Sequence, residues 1–275
     1  MANGKTSAEK TLALLDLFGG TFPNVRGLTE LARASGQNKA TCYRGLQTLC
    51  RMGLLARNGD QYHLGYKIVE LANRLKDSIP LHRVALPYME RLRDVTKQSV
   101  QLVVRDGDSA VYLEVVPATQ PVRLYIQPGR RAPLFAGAST RLLLAYTSSE
   151  KREAILNAFP PQHYTEQTIL DPAELEQRLI ETRETGFAIS FGELESGSAE
   201  TAAPIIGAEG HVLAAISIAG FTDPFLNGDQ RKIMMTELDK IAQKISRRMG
   251  FEGKWASDLG CFLKNVATRF EGRRR

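Results

Sequence analysis

Residues 28–55 read LTELARASGQNKATCYRGLQTLCRMGLL, and this stretch predicts two short helices joined by a tight turn. The first helix has one apolar stripe of Leu28, Leu31 and Ala32, and Gly36 can supply the left-handed residue that ends it. Asn38 is a good N-cap for the second helix, because its side-chain oxygen can accept from N–H groups two or three residues on.

The second helix is predicted to be apolar on one face and basic on the other. Cys42, Leu46 and Leu49 form the apolar stripe, and the helix should end near Gly53. No acidic residue occurs between positions 37 and 56. Such a helix fits the major groove of DNA, although a charged face on a single helix is as often merely solvated. The candidate DNA-binding residues are Lys39, Thr41, Tyr43, Arg44, Gln47 and Arg51.

A hairpin pattern directly after this helix favours the DNA-binding interpretation. Residues 54–57 and 61–64 are two short runs with apolar residues, and Asn58-Gly59 lies between them. Asn-Gly in such a position is the strongest short signal for a β-hairpin. Helix, turn, basic helix and hairpin in this order predict a winged helix-turn-helix.

Length and charge indicate a second domain. The chain of 275 residues is long for one core. Residues 1–80 hold 11 Lys and Arg against 6 Asp and Glu, residues 81–250 hold 19 against 21, and residues 251–275 hold 6 against 3. This asymmetry suits a nucleic-acid module attached to a domain with another task.

The composition also indicates the cellular compartment and whether a cofactor is expected. The three cysteines, Cys42, Cys50 and Cys261, have no metal-ligand spacing, which predicts a reduced, cytoplasmic protein without a cofactor. No stretch approaches the roughly twenty apolar residues that a membrane span needs, and no signal peptide opens the chain. We therefore expect no association with a membrane.

The remaining elements follow from periodicity and capping signals. Residues 6–18 predict a helix that opens with a Thr6/Glu9 capping box and turns Leu12, Leu15 and Leu17-Phe18 inward. Residues 19–20 should end it, and 21–27 should be loop. Further helices are expected at 65–76, 81–97, 138–146, 149–158, 172–185 and 229–249. Strands are expected at 100–104, 110–116, 122–126, 199–206 and 211–218.

This order of elements predicts an α+β fold, because hairpins split by helices favour an antiparallel sheet with helices packed against it. The expected architecture is an N-terminal winged helix-turn-helix plus a C-terminal antiparallel sheet domain with helices, which resembles a GAF/profilin-like sensor domain. The helix at 65–76 should bury its apolar face against a partner, or alternatively against its own domain.

Catalytic signals are missing from the sequence of the second domain. No cysteine occurs between residues 51 and 260, and no two of the four histidines share i, i+4 spacing. Neither a phosphate loop nor a Gly-x-Ser-x-Gly elbow is present. We therefore expect a binding domain and not an enzyme.

A binding pocket is predicted where the helix at 138–146 begins. Free N–H groups at a helix N-terminus favour an anion or a carbonyl oxygen, although Ser139 or Thr140 could instead cap the helix. Strand alternation adds small residues and one carboxylate on the second hairpin. These are Ser198, Glu200, Ala202, Ala215, Ser217 and Ala219.

The chain also resembles IclR-type bacterial transcription regulators. The motifs are Thr41-x-x-Arg44-x-Leu46-x-x-Leu49, Tyr62-x-Leu64-Gly65, Gly129-Arg130, Gly186-Phe187-Ala188, Ala202-Ala203-Pro204 and the run 214–220. The resemblance covers roughly residues 6–249 and implies a DNA-binding regulator of a small-molecule catabolic operon, homodimeric or tetrameric. It implies a DNA-binding domain at 1–64, a linker helix at 65–80 that helps to form the dimer, an effector-binding domain at 81–250 and an extension at 251–275.

By the same resemblance, small organic acids bind at Ala138, Ser139, Ser190, Glu200 and Ser217. Ser190 stands where Asp is common, Glu200 where an uncharged residue is common, and Thr140-Arg141 where Gly-Lys or Gly-Arg is usual. Because Glu200 would repel the far end of an acid bound to the helix, we expect an elongated ligand with an acceptor at one end and a donor at the other. A hydroxylated or amidated aromatic acid is one candidate.

Two interpretations stay open beside the effector-responsive regulator. One is an architectural DNA-binding protein with a ligand-free dimerisation domain, and the other is an enzyme tethered to DNA. The sequence does not decide between repression and activation. For the extension we expect a short packed helix and then a solvated basic end at 272–275.

Overall fold

The computed structural model describes residues 6–18, 26–253, 255 and 257–271. The chain divides into two compact units, Met1–Ile79 and Pro80–Arg275. The predicted end of the first helix at 19–20, most of the predicted loop and the basic end at 272–275 lie outside the described residues. Within the part that is described, no helix is long and apolar enough to cross a membrane.

The first unit is a winged helix-turn-helix, as predicted. Its three-stranded antiparallel sheet has the order β1-β3-β2. The strands are β1 (Arg26–Gly27), β2 (Leu55–Asn58) and β3 (Gln61–Leu64). The helices are α1 (Ser7–Asp16), α2 (Leu28–Ser35), α3 (Lys39–Arg51) and α4 (Lys67–Ser78).

Local capping explains the helix boundaries. The Thr6/Glu9 capping box is formed at α1, and Gly36 ends α2 with a φ of 65°. The Asn38 side chain accepts from the Thr41 N–H at 2.8 Å and starts α3. All three of these predictions are confirmed.

Three details of this unit differ from the sequence analysis. Leu12 is 57% exposed, and Leu14 is the residue of α1 that lies in the core. Leu14 faces α3 at Gly45, which has no side chain and so lets α1 and α3 approach closely. Residues 26–27 form a strand on β3 and are not loop. In the hairpin Asn58 pairs with Gln61, so the turn is Gly59-Asp60, one residue later than expected.

Within the described residues of the first unit, nothing covers the apolar side of α4. Leu71 and Leu75, which share this side, are exposed, and no residue of the helix is buried. Of the two expectations for this helix, packing on its own domain is therefore not observed.

The second unit contains a six-stranded antiparallel sheet of order β6-β5-β4-β9-β8-β7. Its strands are β4 (Ser99–Asp106), β5 (Ser109–Val116), β6 (Arg131–Pro133), β7 (Ala188–Phe191), β8 (Ser198–Ile206) and β9 (Val212–Phe221). Its helices are α5 (Pro80–Thr96), α6 (Ala138–Ala145), α7 (Ser149–Ala158), α8 (Pro172–Thr185), α9 (Thr222–Leu226), α10 (Gly228–Arg248) and α11 (Leu259–Glu271).

Helices cover both faces of this sheet. Helices α5 and α10 pack together on one face, where the Thr201 hydroxyl contacts the Met235 sulfur at 2.7 Å. Helix α6 packs on the other face, against β7, β8, β9 and β4, and α8 packs beside it. The register pairs Ala202 with Ser217, so the small residues of β8 and β9 face α6 together, as strand alternation predicted.

The predicted strand at 122–126 is wrong. The free edge of β5 is instead taken by β6 and by residues just before it, since the Gly129 N–H donates to the Tyr112 carbonyl and the Tyr112 N–H to the Arg130 carbonyl. Residues 122–126 are left without regular structure, and Val122 and Tyr125 are exposed. Strand β7 and helix α9 were not predicted.

Candidate functional site

The face of α3 opposite the core carries the candidate DNA-binding residues. Cys42, Gly45, Leu46 and Leu49 are buried against the rest of the first unit. Five of the six predicted residues are exposed on the other side, and Thr41 is half-buried where its N–H is capped. The basic residues among the exposed five are Lys39, Arg44 and Arg51.

These basic side chains are available for phosphates and base edges. In the described ranges, none of the three takes part in an ion pair, so no internal carboxylate competes with DNA. The Gln47 amide donates to the Tyr43 hydroxyl at 2.6 Å, which holds two polar side chains together on the exposed face. The arrangement matches what a recognition helix needs.

The wing carries a further basic residue that the sequence analysis did not single out, Arg57, which pairs with Asp60 at 3.2 Å. The guanidinium of Arg57 lies 5.8 Å from the centre of the Tyr62 ring and its Nε donates to the Gly59 carbonyl at 2.7 Å. Burial raises the pKa of Tyr62, so the ring is a neutral platform for this cation. The available signal was an arginine directly before the Asn58-Gly59 dipeptide.

In the second unit, two carboxylates occupy the start of α6. The Ala138 N–H donates to Glu200 Oε2 at 2.8 Å, and the Gly137 N–H donates to Glu193 Oε2 at 3.0 Å. Gly137 has a φ of 99°, and a Cβ there would lie 3.4 Å from the Glu200 carboxylate. Two of the N–H groups that were expected to be free for a ligand, those of Gly137 and Ala138, are therefore occupied by the protein's own carboxylates.

Glu193 is paired with a buried arginine. The Arg141 guanidinium donates to the Glu193 carboxylate and, at 2.6 Å, to the Ile189 carbonyl. Arg141 is 2% exposed and Glu193 is 5% exposed. Sequence analysis missed Glu193 because no local pattern marks it, and its partner lies 52 residues away.

A small cavity opens beside Glu200. Its volume is about 30 Å³, which holds one or two water molecules and no larger molecule unless the walls move. Apolar side chains from residues 122–126 and 194 form one wall. Its polar lining residues include Gln101, Tyr112, Arg130, Ser190, Glu195 and Glu200.

Two polar atoms in this region, Glu200 Oε1 and Gln101 Nε2, are buried without a hydrogen bond to any described residue. The buried Ser139 side chain has the Tyr112 hydroxyl as its neighbour. Burial, and then the nearby charge of Glu200, raise the pKa of Tyr112 well above its usual range, so its hydroxyl stays protonated. Arg130 pairs with Glu195 at 2.6 Å and so is not free to neutralise Glu200.

The structure brings together some of the predicted effector residues. Ser190 and Glu200 are paired across β7 and β8, and both line the cavity. Ala138 takes part through its N–H, whereas the buried Ser139 side chain does not border the cavity. Ser217 takes part only through Gln101, because its hydroxyl donates to Gln101 Oε1 at 3.2 Å. Gln101 was missed, although a polar residue inside the apolar run 100–104 was a usable signal.

Family models cover most of the chain. Residues 7–59 match the IclR helix-turn-helix domain, and residues 74–247 match the bacterial transcriptional regulator IclR C-terminal domain. The HTH-type transcriptional regulator KipR of Bacillus subtilis is 35% identical over 252 residues, which are 91% of this chain and 100% of KipR. The chain belongs to the IclR family of bacterial transcriptional regulators.

Solved structures agree with this assignment. The IclR transcriptional regulator from Alicyclobacillus acidocaldarius is 28% identical, with a TM-score of 0.79 over 89% of this chain and 98% of that one. An IclR homolog from Microbacterium hydrocarbonoxydans, complexed with 4-hydroxybenzoate, is 24% identical and shares the fold, with a TM-score of 0.76 over 88% and 100%.

Membership in the IclR family makes the chain a DNA-binding transcription regulator and confirms the resemblance inferred from its motifs. The α+β architecture is confirmed as well. The finer boundaries, with a linker at 65–80 and an extension from 251, stay a prediction, as do the individual DNA-binding and effector-binding residues.

Proposed function

We propose that this IclR-family protein binds an operator through the exposed face of α3 and that a small organic effector, bound beside Glu200, changes its operator affinity. The observation that carries the effector is the buried carboxylate of Glu200, a residue that lines the cavity. One of its oxygens accepts from the start of α6, and the other is buried without a partner among the described residues. A buried charged oxygen of this kind is stabilised when a ligand supplies a donor.

The DNA-binding role is divided among the residues of α3. Arg44, near the middle of the exposed face, is assigned to base edges, and Lys39, at the first turn, to the phosphate backbone. Thr41, Tyr43, Gln47 and Arg51 complete the surface, and the Arg57 wing lies beside it. The protein catalyses no reaction and acts in the cytoplasm, where its operator is found.

The effector proposal is tested on the full-length protein with DNA from the regions beside its own gene. A footprint identifies the operator, and a library of metabolites of every charge class is then screened for changes in melting temperature and in operator affinity. Under this proposal at least one class changes both. If the operator is bound but no molecule changes either quantity, the architectural interpretation replaces it.

Replacing Arg44 by Ala should weaken binding to the operator about 5- to 150-fold, with less effect on random DNA, because a bidentate contact to a guanine is lost. Lys39→Ala should weaken both alike and reduce the salt dependence of binding, as the loss of a phosphate contact does. Titration of both variants at several salt concentrations checks this. Equal losses on operator and random duplex would assign Arg44 to a phosphate.

We also propose that the protein self-associates as a homodimer or homotetramer through α4. The support is the uncovered apolar side of that helix. Leu71→Asp should lower the molar mass measured by light scattering, because a charge would be buried in the contact. The matched control is Asn73→Asp on an exposed position of the same helix. An unchanged mass for Leu71→Asp would place the interface elsewhere.

A further inference from the structure

We infer that the effector of this regulator presents a hydrogen-bond donor, such as an amide, hydroxyl or ammonium group, to Glu200 and brings no carboxylate to the start of α6. This inference rests on the proposed function and specifies the class of molecule that the cavity accepts. It departs from the small organic acids that the family resemblance implies.

The first argument is that the anion position at α6 is already filled. Its leading N–H groups donate to Glu200 and Glu193, which are 8% and 5% exposed. A ligand carboxylate would have to displace one of them or lie against it. Two carboxylates in contact repel each other strongly when water is excluded.

The second argument is that the two carboxylates differ in their partners. Glu193 is neutralised by Arg141, which is buried with it. Glu200 has no ion pair among the residues that the structure describes, and its Oε1 accepts no hydrogen bond there. Glu200 is therefore the one of the pair that gains from a donor, and a protonated nitrogen would also balance its charge.

The third argument concerns a second polar group in the lining of the cavity, the Gln101 amide. Its Oε1 accepts from Ser217, and its Nε2 has no acceptor among the described residues. An acceptor on the ligand would satisfy it. The other charged lining residues, Arg130 and Glu195, bind each other at 2.6 Å, so the net charge of the cavity lining is negative. A molecule with a donor at the Glu200 end and an acceptor at the Gln101 end fits these groups.

The wall of residues 122–126 explains how such a molecule can enter. Leu124 and Ile126 line the cavity from a segment whose backbone makes no hydrogen bond to another strand or helix between residues 119 and 126 within the described structure, since the Gln120 carbonyl accepts only from Arg123 of the same segment. Displacing that segment costs no backbone pairing, so the volume of about 30 Å³ is not a fixed limit. The polar end of the cavity lies on paired strands, so its hydrogen-bonding groups keep their positions when that segment moves.

The test uses small probes that differ only in one group: acetate, acetamide and ethylammonium, and their ring counterparts benzoate, benzamide and benzylammonium. Melting temperature and dissociation constant are measured for the full-length protein with each probe up to about 100 mM. We expect the amides and ammonium ions to stabilise the wild-type protein and the carboxylates not to do so.

Glu200→Gln keeps an oxygen for the Ala138 N–H and turns an amide donor toward the cavity. In this variant the carboxylates should bind about tenfold tighter than in the wild type, and the ammonium ions about tenfold weaker. Glu209→Gln is the matched control, since it makes the same substitution at an exposed position of the turn after β8, away from the cavity. It should keep the wild-type order of probes.

Three results of these titrations would overturn the inference. They are binding of the carboxylates to the wild-type protein as tight as that of the amides, a reversal in Glu209→Gln equal to that in Glu200→Gln, and no stabilisation by any donor probe. The wild-type order decides the question even if Glu200→Gln fails to fold. If an acid proves to release the operator while donor molecules do not, the inference fails and the proposed function stands. If no molecule of any class acts on operator binding, the proposed function itself fails.

Discussion

Arg141→Met is expected to destabilise the second unit by about 3–5 kcal/mol. Arg141 is 2% exposed and binds both the Glu193 carboxylate and the Ile189 carbonyl. Methionine fills part of the space but leaves Glu193 charged and buried with only the Gly137 N–H to bind it. The cost arises mainly from that uncompensated charge and not from the lost attraction.

Urea unfolding followed by fluorescence measures this loss, because the chain has a single tryptophan, Trp255, and it lies in the second unit. Arg130→Met is the matched control. Arg130 forms a similar ion pair with Glu195, but both side chains are more than a third exposed, and the expected loss is at most about 1 kcal/mol. Adding Glu193→Gln to Arg141→Met should recover part of the stability. Equal losses for the Arg141 and Arg130 variants would show that burial of the pair is not what matters.

Phe262→Ala is expected to destabilise the same unit by about 3–5 kcal/mol, as other large-to-small core substitutions do. Phe262 lies on α11, beyond the last residue of the IclR family match at position 247. It is 1% exposed, and its ring centre lies 5.5 Å from that of Phe187. Val266, one turn later, is also buried. The extension is therefore part of the core of this protein.

Hydrogen bonds at the start of the extension support the same conclusion. The Asp258 N–H donates to the Thr185 carbonyl at 2.9 Å, and the Trp255 indole donates to Asp239 at 2.9 Å. The control for Phe262→Ala is Cys261→Ala, the exposed neighbour on α11, which should change stability by less than about 0.5 kcal/mol. A loss below 1 kcal/mol for Phe262→Ala would mean that α11 detaches in solution.

The local sequence was sufficient wherever a few neighbouring residues carry the whole interaction. The caps at Thr6 and Asn38, and the left-handed residue at Gly36, join groups no more than about four residues apart, and all of them are observed. For the same reason the predicted bounds of α7 and α8 match those observed. The winged helix-turn-helix and its basic face followed from such signals.

Strand pairing was less predictable, because a strand needs a partner as well as a pattern. Residues 122–126 alternate as a strand does, yet the edge of β5 is taken by Arg131–Pro133, a segment with a weaker pattern. For a related reason, the sequence analysis turned Leu12 inward, whereas Leu14 is the residue that lies in the core. Both are apolar, and only the close approach allowed by Gly45 decides which of them α3 buries.

The chemistry of the cavity was decided by tertiary structure alone. The sequence pointed to Glu200 and the start of α6 as parts of one site, but it placed them at opposite ends of a ligand. In the fold the Glu200 carboxylate bonds the Ala138 N–H across 62 residues of sequence, and Arg141 reaches Glu193 across 52. Whether a carboxylate attracts, repels or replaces a ligand depends on distance, burial and the nearest cation. Those quantities exist only once the strands and α6 are packed together.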